Sequence, residues 1–194
     1  YRSELDFDSW LKKNKKVCIT GIDTRVLTKK IRDSGVCKAL IHFPKNGKFE
    51  KLINLNIKLK SFPKMDNLDL ASEVSTKKIY KWNKGKKSNL NIKNLPKKFI
   101  GVIDFGIKKN ILNLLESFGY QIVIFPLNYS IQKLISLKPV GIFLSNGPGD
   151  PLATYKKFKE NLKQIKKFDK PVFGICLGHQ ILSLIYDAKT EKMH

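Results

Sequence analysis

At 194 residues the chain is long enough for one large or two small domains, and its 42% hydrophobic content can fill a core. Three cysteines (Cys18, Cys37 and Cys176) are too few and too widely spaced for a disulfide framework or a zinc site; no metal centre is expected, and the odd count fits a reducing, cytoplasmic setting. The uncharged stretch from Pro171 to Tyr186 is shorter than the roughly 20 apolar residues of a membrane helix and contains Gly and Pro, so no membrane association is expected.

The net charge of +22 raises a nucleic-acid-binding alternative, because basic protein attracts phosphate backbones. The kind of base argues against it. Of the 38 basic residues only Arg2, Arg25 and Arg32 are arginine, the residue suited to bidentate phosphate and base recognition. The lysines are spread along the chain, often beside Asn and Ile, and a coding bias towards those three residues gives the same composition. The chain starts at Tyr1 and ends at a bare His194, which reads as part of a longer protein.

Asp6 to Asn14 reads as a short helix with Phe7, Trp10 and Leu11 on one face. Val17 to Thr20 is a β-branched run, expected as a strand. Asp23 or Thr24 caps a helix that carries Val26, Leu27 and Ile31 and ends at Gly35. Cys37 to Phe43 reads as a second strand, leading to a turn over Pro44 to Gly47. Lys48 to Leu59 fits the helical and strand periods in part, and Ser61 to Tyr80 shows no clear pattern. Lys81 to Lys98, rich in Lys and Asn and broken by Gly85 and Pro96, is the expected linker, which divides the chain into domains 1–95 and 96–194.

Beyond the linker the pattern becomes regular. Apolar runs at Phe99–Ile103, Gln121–Phe125, Val140–Leu144 and Pro171–Ile175 alternate with helical stripes. The stripes are Ile107 to Phe118, the segment around Ile131 to Ile135, Tyr155 to Ile165, and Gly178 to Tyr186. Strands that are apolar throughout and alternate with helices predict an α/β fold with a parallel sheet covered on both faces. Sites in such sheets lie at the carboxyl ends of the strands.

Two turns belong to that edge. Ser145 to Pro151, Ser-Asn-Gly-Pro-Gly-Asp-Pro, leaves backbone N–H groups at Gly147 and Gly149 that suit a developing oxyanion, although an ordinary tight turn is the simpler reading of the loop alone. Gly174-Ile175-Cys176-Leu177-Gly178 has the form of a nucleophile elbow, a sharp strand-to-helix turn with the reactive side chain at its tip. The helix that follows offers unpaired N–H groups, that of Leu177 among them, and its positive end to a thiolate. A thiol on one loop and donors on the other suggest acyl transfer through a thioester. His179 sits three residues after Cys176 and points away within the first helical turn, His42 lies in the other half, and His194 is terminal, so spacing secures no Cys–His pair.

Gly174-Ile-Cys-Leu-Gly-His-Gln180 resembles the nucleophile motif of the class I glutamine amidotransferases. Ser145-Asn-Gly-Pro-Gly-Asp-Pro151, Asp104-Phe-Gly-Ile-Lys-Lys-Asn110 and Ile22-Asp-Thr-Arg-Val-Leu-Thr28 narrow the resemblance to the small, glutamine-hydrolysing subunits of carbamoyl phosphate synthetases. The resemblance implies a flavodoxin-like, parallel-sheet glutaminase domain preceded by part of a smaller N-terminal α/β domain. It implies Cys176 as the nucleophile, Gly147 and Leu177 as backbone oxyanion and substrate contacts, and Gly149 and Gln180 as further glutamine-binding positions. Ammonia released from glutamine would pass to a large synthetase subunit, which uses ATP, Mg and bicarbonate to make carbamoyl phosphate for arginine and pyrimidine biosynthesis. No cofactor is expected in this chain.

The same resemblance implies that a serine before Tyr1 and the His and Glu partners of the cysteine after His194 are not in these residues, and that neither His194 nor Glu191 replaces them. The glutaminase domain would then be incomplete at its C-terminal end, and the 194 residues alone should hydrolyse glutamine very slowly or not at all. The alternatives are a truncated noncatalytic subunit that only binds the large partner, and a basic nucleic-acid-binding protein.

Overall fold

The computed structural model of the chain describes residues 5–35, 37–44, 46–63 and 67–191. Two compact units divide the chain after Leu59. The first holds helix α1 (Phe7–Lys13) and helix α2 (Thr24–Ser34), and α3 (Leu52–Ser61) runs across the division. Asp6 caps α1 by accepting the Ser9 N–H at 2.9 Å, and Asp23 caps α2 by accepting that of Val26 at 2.9 Å, the side-chain solution to orphan helix donors. Gly35 ends α2 with φ 77°, as expected. Gly47 N–H donates to Pro44 O at 3.2 Å in the expected turn, whose Lys45 lies outside the described residues.

The strands expected at Val17–Thr20 and Cys37–Phe43 do not form. Branched and aromatic side chains favour a strand only where a partner completes the ladder, and neither segment pairs with another among the described residues. No described residue from 5 to 59 is buried.

The second unit is built on a six-stranded sheet of order β2-β1-β4-β3-β5-β6. Its strands are β1 (Tyr80–Asn83), β2 (Lys86–Asn89), β3 (Phe99–Asp104), β4 (Gln121–Pro126), β5 (Gly141–Leu144) and β6 (Val172–Gly174). The four from β3 to β6 run parallel, with Val102 opposite Ile124 and Phe143, and Phe143 opposite Phe173. Between them lie α5 (Lys109–Ser117), α6 (Ile131–Ser136) and α7 (Pro151–Leu162), while α8 (Leu177–Ile185) follows β6 and a single turn of helix, α4 (Ala71–Val74), precedes β1. The fold is mixed α/β with a sheet dominated by parallel strands, as the alternation of elements predicts, and is consistent with the flavodoxin-like domain that the resemblance implies.

Lys81–Lys98 is not a plain linker. Tyr80 and Trp82 point inward while Asn83 is exposed, so β1 joins β4 antiparallel and carries β2 outside it. Burial of the two aromatic rings outweighs the lysine-rich composition. Trp82 also donates from Nε1 to Asn113 Oδ1 on α5 at 2.9 Å.

Apolar side chains fill both faces of the sheet. Phe99, Ile103, Phe125 and Leu144 pack beneath α6, α7 and α8, with Leu134, Leu162, Ile181 and Ile185 among their neighbours. Val102, Ile122, Ile124 and Phe143 pack with Trp82 and Leu112 beneath α5. Cover on both faces holds at β3 and β4 but not at β6, where Phe173 is 62% exposed and borders an open apolar groove of about 360 Å³. Ile111, Leu114 and Leu115 of α5 line the other side of that groove.

Candidate active site at the carboxyl edge of the sheet

Residues Ile175 and Cys176 turn the chain from β6 into α8. Ile175 N–H donates to Leu144 O at 3.1 Å, so the end of β6 is tied to the end of β5. Gly178 N–H donates back to Ile175 O at 3.0 Å and closes the turn, and Gln180 N–H donates to Cys176 O at 3.0 Å as the helix begins. Cys176 at its tip has φ 53° and ψ −115°, a torsion that side-chain-bearing residues rarely adopt, and it stands at the N-cap of α8 as an exposed free thiol.

Gly178 lets this turn close. A Cβ there would lie 2.2 Å from Leu144 O and 2.6 Å from Ser145 O, so the first turn of α8 packs backbone to backbone on the loop after β5. That contact brings the two turns read from the sequence to one place.

The loop after β5 is itself anchored from below. Buried Ser145 accepts the Phe105 N–H at 2.9 Å and donates from Oγ to Asn146 O at 2.7 Å. Asn146 accepts Lys108 N–H at 3.1 Å and donates to Gly106 O at 3.1 Å, clamping the turn after β3. Gly147 lies so close to that turn that a Cβ would meet Phe105 O at 2.2 Å. Gly149 rests against the backbone of Leu68 and Leu70. Asp150 caps α7 by accepting Leu152 N–H at 2.8 Å, and its other oxygen accepts Asn67 N–H at 3.1 Å.

Acidic groups organise the surroundings without touching the thiol. Asp104, at the end of β3, accepts N–H bonds from Gly106 (2.9 Å), Ile107 (2.8 Å) and Thr76 (2.8 Å). Burial, with the nearby Asp104 charge adding to it, pushes the Tyr80 phenol up to about 12. Burial would also raise the Asp69 carboxyl, but hydrogen bonds from Lys157, Ser72 and Thr154 outweigh it and hold the group below its ordinary value.

The structure therefore brings Cys176, Leu177, Gly147 and Gly149 to one sheet edge. The amides of Gly147, Gly149 and Leu177 take no hydrogen-bond partner among the described residues and remain available as donors. Gln180 is exposed on the first turn of α8. No histidine or carboxylate hydrogen-bonds to Cys176 among the described residues: His179 is exposed on α8, His42 accepts Glu50 N–H at 3.3 Å in the first unit, and His194 lies outside the described residues. Among the described residues no three His, Cys, Asp or Glu side chains converge where a metal ion could be held, and no helix is long and apolar enough to cross a membrane.

Sequence reasoning missed the anchoring of this edge by Asp69, Ser72 and Thr154. Those bonds join residues 85 apart or more wherever they reach α7, so no local pattern signals them. Asp150 just before Pro151, an N-cap with proline at the start of the helix, is a local signal for the start of α7 that could have been read from the sequence.

Residues 101–194 match the family described as Glutamine amidotransferase class-I, and residues 1–41 match the Carbamoyl-phosphate synthase small chain, CPSase domain. The whole chain aligns with proteins named carbamoyl phosphate synthase small chain. Identity is 41% with the protein of Bartonella henselae, 39% with that of Caulobacter vibrioides and 38% with that of Bradyrhizobium diazoefficiens. Each alignment covers 100% of this chain and 49%, 50% and 50% of the relative, respectively, so the chain spans about half the length of the curated relatives it matches.

Proposed function

We propose that this chain, related along its whole length to the carbamoyl phosphate synthase small chains, supplies the nucleophile that releases ammonia from glutamine. The observation that carries the reading is the torsion of Cys176. A thiol-bearing residue is held at φ 53° at the head of a helix, where glycine would be unstrained, and this presents Sγ at the sheet edge.

In this reading the Cys176 thiolate adds to the carboxamide carbon and the carbonyl electron pair moves onto oxygen. The N–H groups of Leu177 and Gly147 meet the oxyanion, a contribution of about 2.7–4 kcal/mol for a single donor of this kind. The C–N bond breaks, nitrogen leaves as ammonia after taking up a proton, and water hydrolyses the glutamyl thioester to glutamate and free thiol. In the same reading Gly149 and Gln180 would be further contacts to glutamine. The ammonia would pass to a large synthetase chain that uses ATP, Mg and bicarbonate to form carbamoyl phosphate for arginine and pyrimidine synthesis. Three free thiols suit a reducing compartment such as the cytoplasm.

General-base assistance typically contributes about 10²–10⁴-fold, and no such group meets Cys176 among the described residues, so turnover by these 194 residues is expected to be slow. Alkylation tests the site without requiring turnover. A glutamine-shaped chloroketone should label Cys176 about tenfold or more faster than Cys18 or Cys37, with excess glutamine slowing Cys176 alone, as read by peptide mass spectrometry. Equal rates at the three exposed thiols would refute the assignment.

A further inference from the structure

Ser145 stands two residues before Gly147 and is wholly buried. Its own N–H donates to Ile103 O at 3.2 Å, which ties its backbone to β3. A serine hydroxyl has one hydrogen to give and lone pairs to receive. The Phe105 N–H takes a lone pair at 2.9 Å, and the hydrogen goes to Asn146 O at 2.7 Å. Ser145 therefore grips the carbonyl of the same peptide unit whose N–H belongs to Gly147.

A trans peptide is planar, with its C=O and N–H directed to opposite sides. No cis peptide occurs among the described residues. With the Asn146 oxygen held on a buried hydroxyl, the Gly147 N–H is turned away from that hydroxyl. Further contacts keep the unit from rolling. The Asn146 side chain joins Gly106 O and Lys108 N–H, both at 3.1 Å, and a Cβ on Gly147 would fall 2.2 Å from Phe105 O. Satisfying the buried Phe105 N–H calls for an acceptor alone. The hydroxyl adds a donor, and that donor is spent on Asn146. A hydrogen bond at the carbonyl also polarises the peptide and strengthens its N–H as a donor.

We infer that Ser145 is a positioning residue of the glutaminase reaction, which aims the Gly147 N–H at the oxyanion through the Asn146–Gly147 peptide. The inference rests on the function proposed above, in which Gly147 and Leu177 meet the oxyanion. The two donors differ in how they are held. Leu177 opens α8, so the helix itself sets the direction of its N–H. Gly147 belongs to no helix or strand, and its aim depends on the side chains that hold its peptide.

The test compares two reagents at Cys176 by peptide mass spectrometry. A glutamine-shaped chloroketone passes through an oxyanion, whereas methyl methanethiosulfonate reacts at sulfur without one. Ser145→Ala should lower the chloroketone rate about tenfold or more, part of the roughly 10²–10³-fold lost when such a donor is removed outright, and leave the thiosulfonate rate within about twofold. Ser145→Cys fills the same place with a weaker donor and acceptor and should lose about threefold or more, again with the chloroketone alone, which decides the matter even where the alanine variant does not fold. Asn161→Ala also removes two bonds, to Ile131 N–H at 2.9 Å and Tyr129 O at 2.8 Å, but away from the loop, and should keep both rates within about twofold. Parental chloroketone rates in the Ser145 variants, or an equal loss with both reagents, overturn the positioning role and leave the proposed function standing. A parent chain whose three cysteines take the chloroketone at equal rates overturns both.

Discussion

Gly178→Ala is the sharpest probe of the joint between the two turns. The new methyl carbon would sit 2.2 Å from Leu144 O, 2.5 Å from Leu144 C and 2.6 Å from Ser145 O. These are backbone atoms at the end of β5, which is held between β3 and β6, so they cannot swing aside as a side-chain tip would. Overpacking costs about 1–3 kcal/mol, and the upper end applies to a backbone obstruction. Alanine recovers at most about 1 kcal/mol over glycine in a helix, leaving a net loss of about 2 kcal/mol. At this chain length 1 kcal/mol moves the melting temperature by about 2–4 °C, so a fall of about 4–8 °C is expected by calorimetry. Relief of the clash requires α8 to shift, and a displacement of about 1 Å can slow a positioned reaction roughly 10²-fold, so chloroketone labelling of Cys176 should fall with it. A variant that melts within about 1 °C of the parent and labels Cys176 at the parental rate would refute the backbone contact.

Three further outcomes follow from the anchoring groups. Ser145→Ala leaves the buried Phe105 N–H without its acceptor and should cost about 1–3 kcal/mol in urea unfolding. Asp69 has a carboxyl held below its ordinary 3.8, so its contribution is present at neutral pH and is lost as pH falls below about 4; Asp69→Asn should lower neutral stability and flatten the acid limb of the stability–pH curve. Tyr80 works in the opposite direction: its folded value of about 12 lies above the ordinary 10.0, so stability is lost as pH rises from 10 to 12, and Tyr80→Phe should make that alkaline loss shallower in pH titrations of the melting temperature.

The elements from Phe99 onward were legible because their apolar period switches between strand and helix. The hairpin of β1 and β2 was hidden by composition. Tyr80 and Trp82 do alternate with Lys81 and Asn83, and Lys84-Gly85 makes the turn, but four residues between lysine runs are too few for periodicity to stand out. Two β-branched and aromatic segments in the first half misled in the other direction, since propensity says nothing about whether a partner strand exists. At the candidate site, the Gly-x-Cys-x-Gly spacing located the elbow and its helix. The clamp by Ser145 and Asn146 on the turn after β3 was not readable, because it depends on β3 and β5 being neighbours in the sheet.

The backbone at Cys176 also bears on any effort to make this protein more robust. A search that ranked substitutions by melting temperature alone would favour glycine there, since glycine adopts φ 53° without the roughly 1–3 kcal/mol of strain borne by a residue with a side chain. The most stable variant and the reactive one would then differ at the same atom. Thermal selection of this chain therefore needs a simultaneous screen for the thiol, or it will converge on a better-folded protein that has discarded its chemistry.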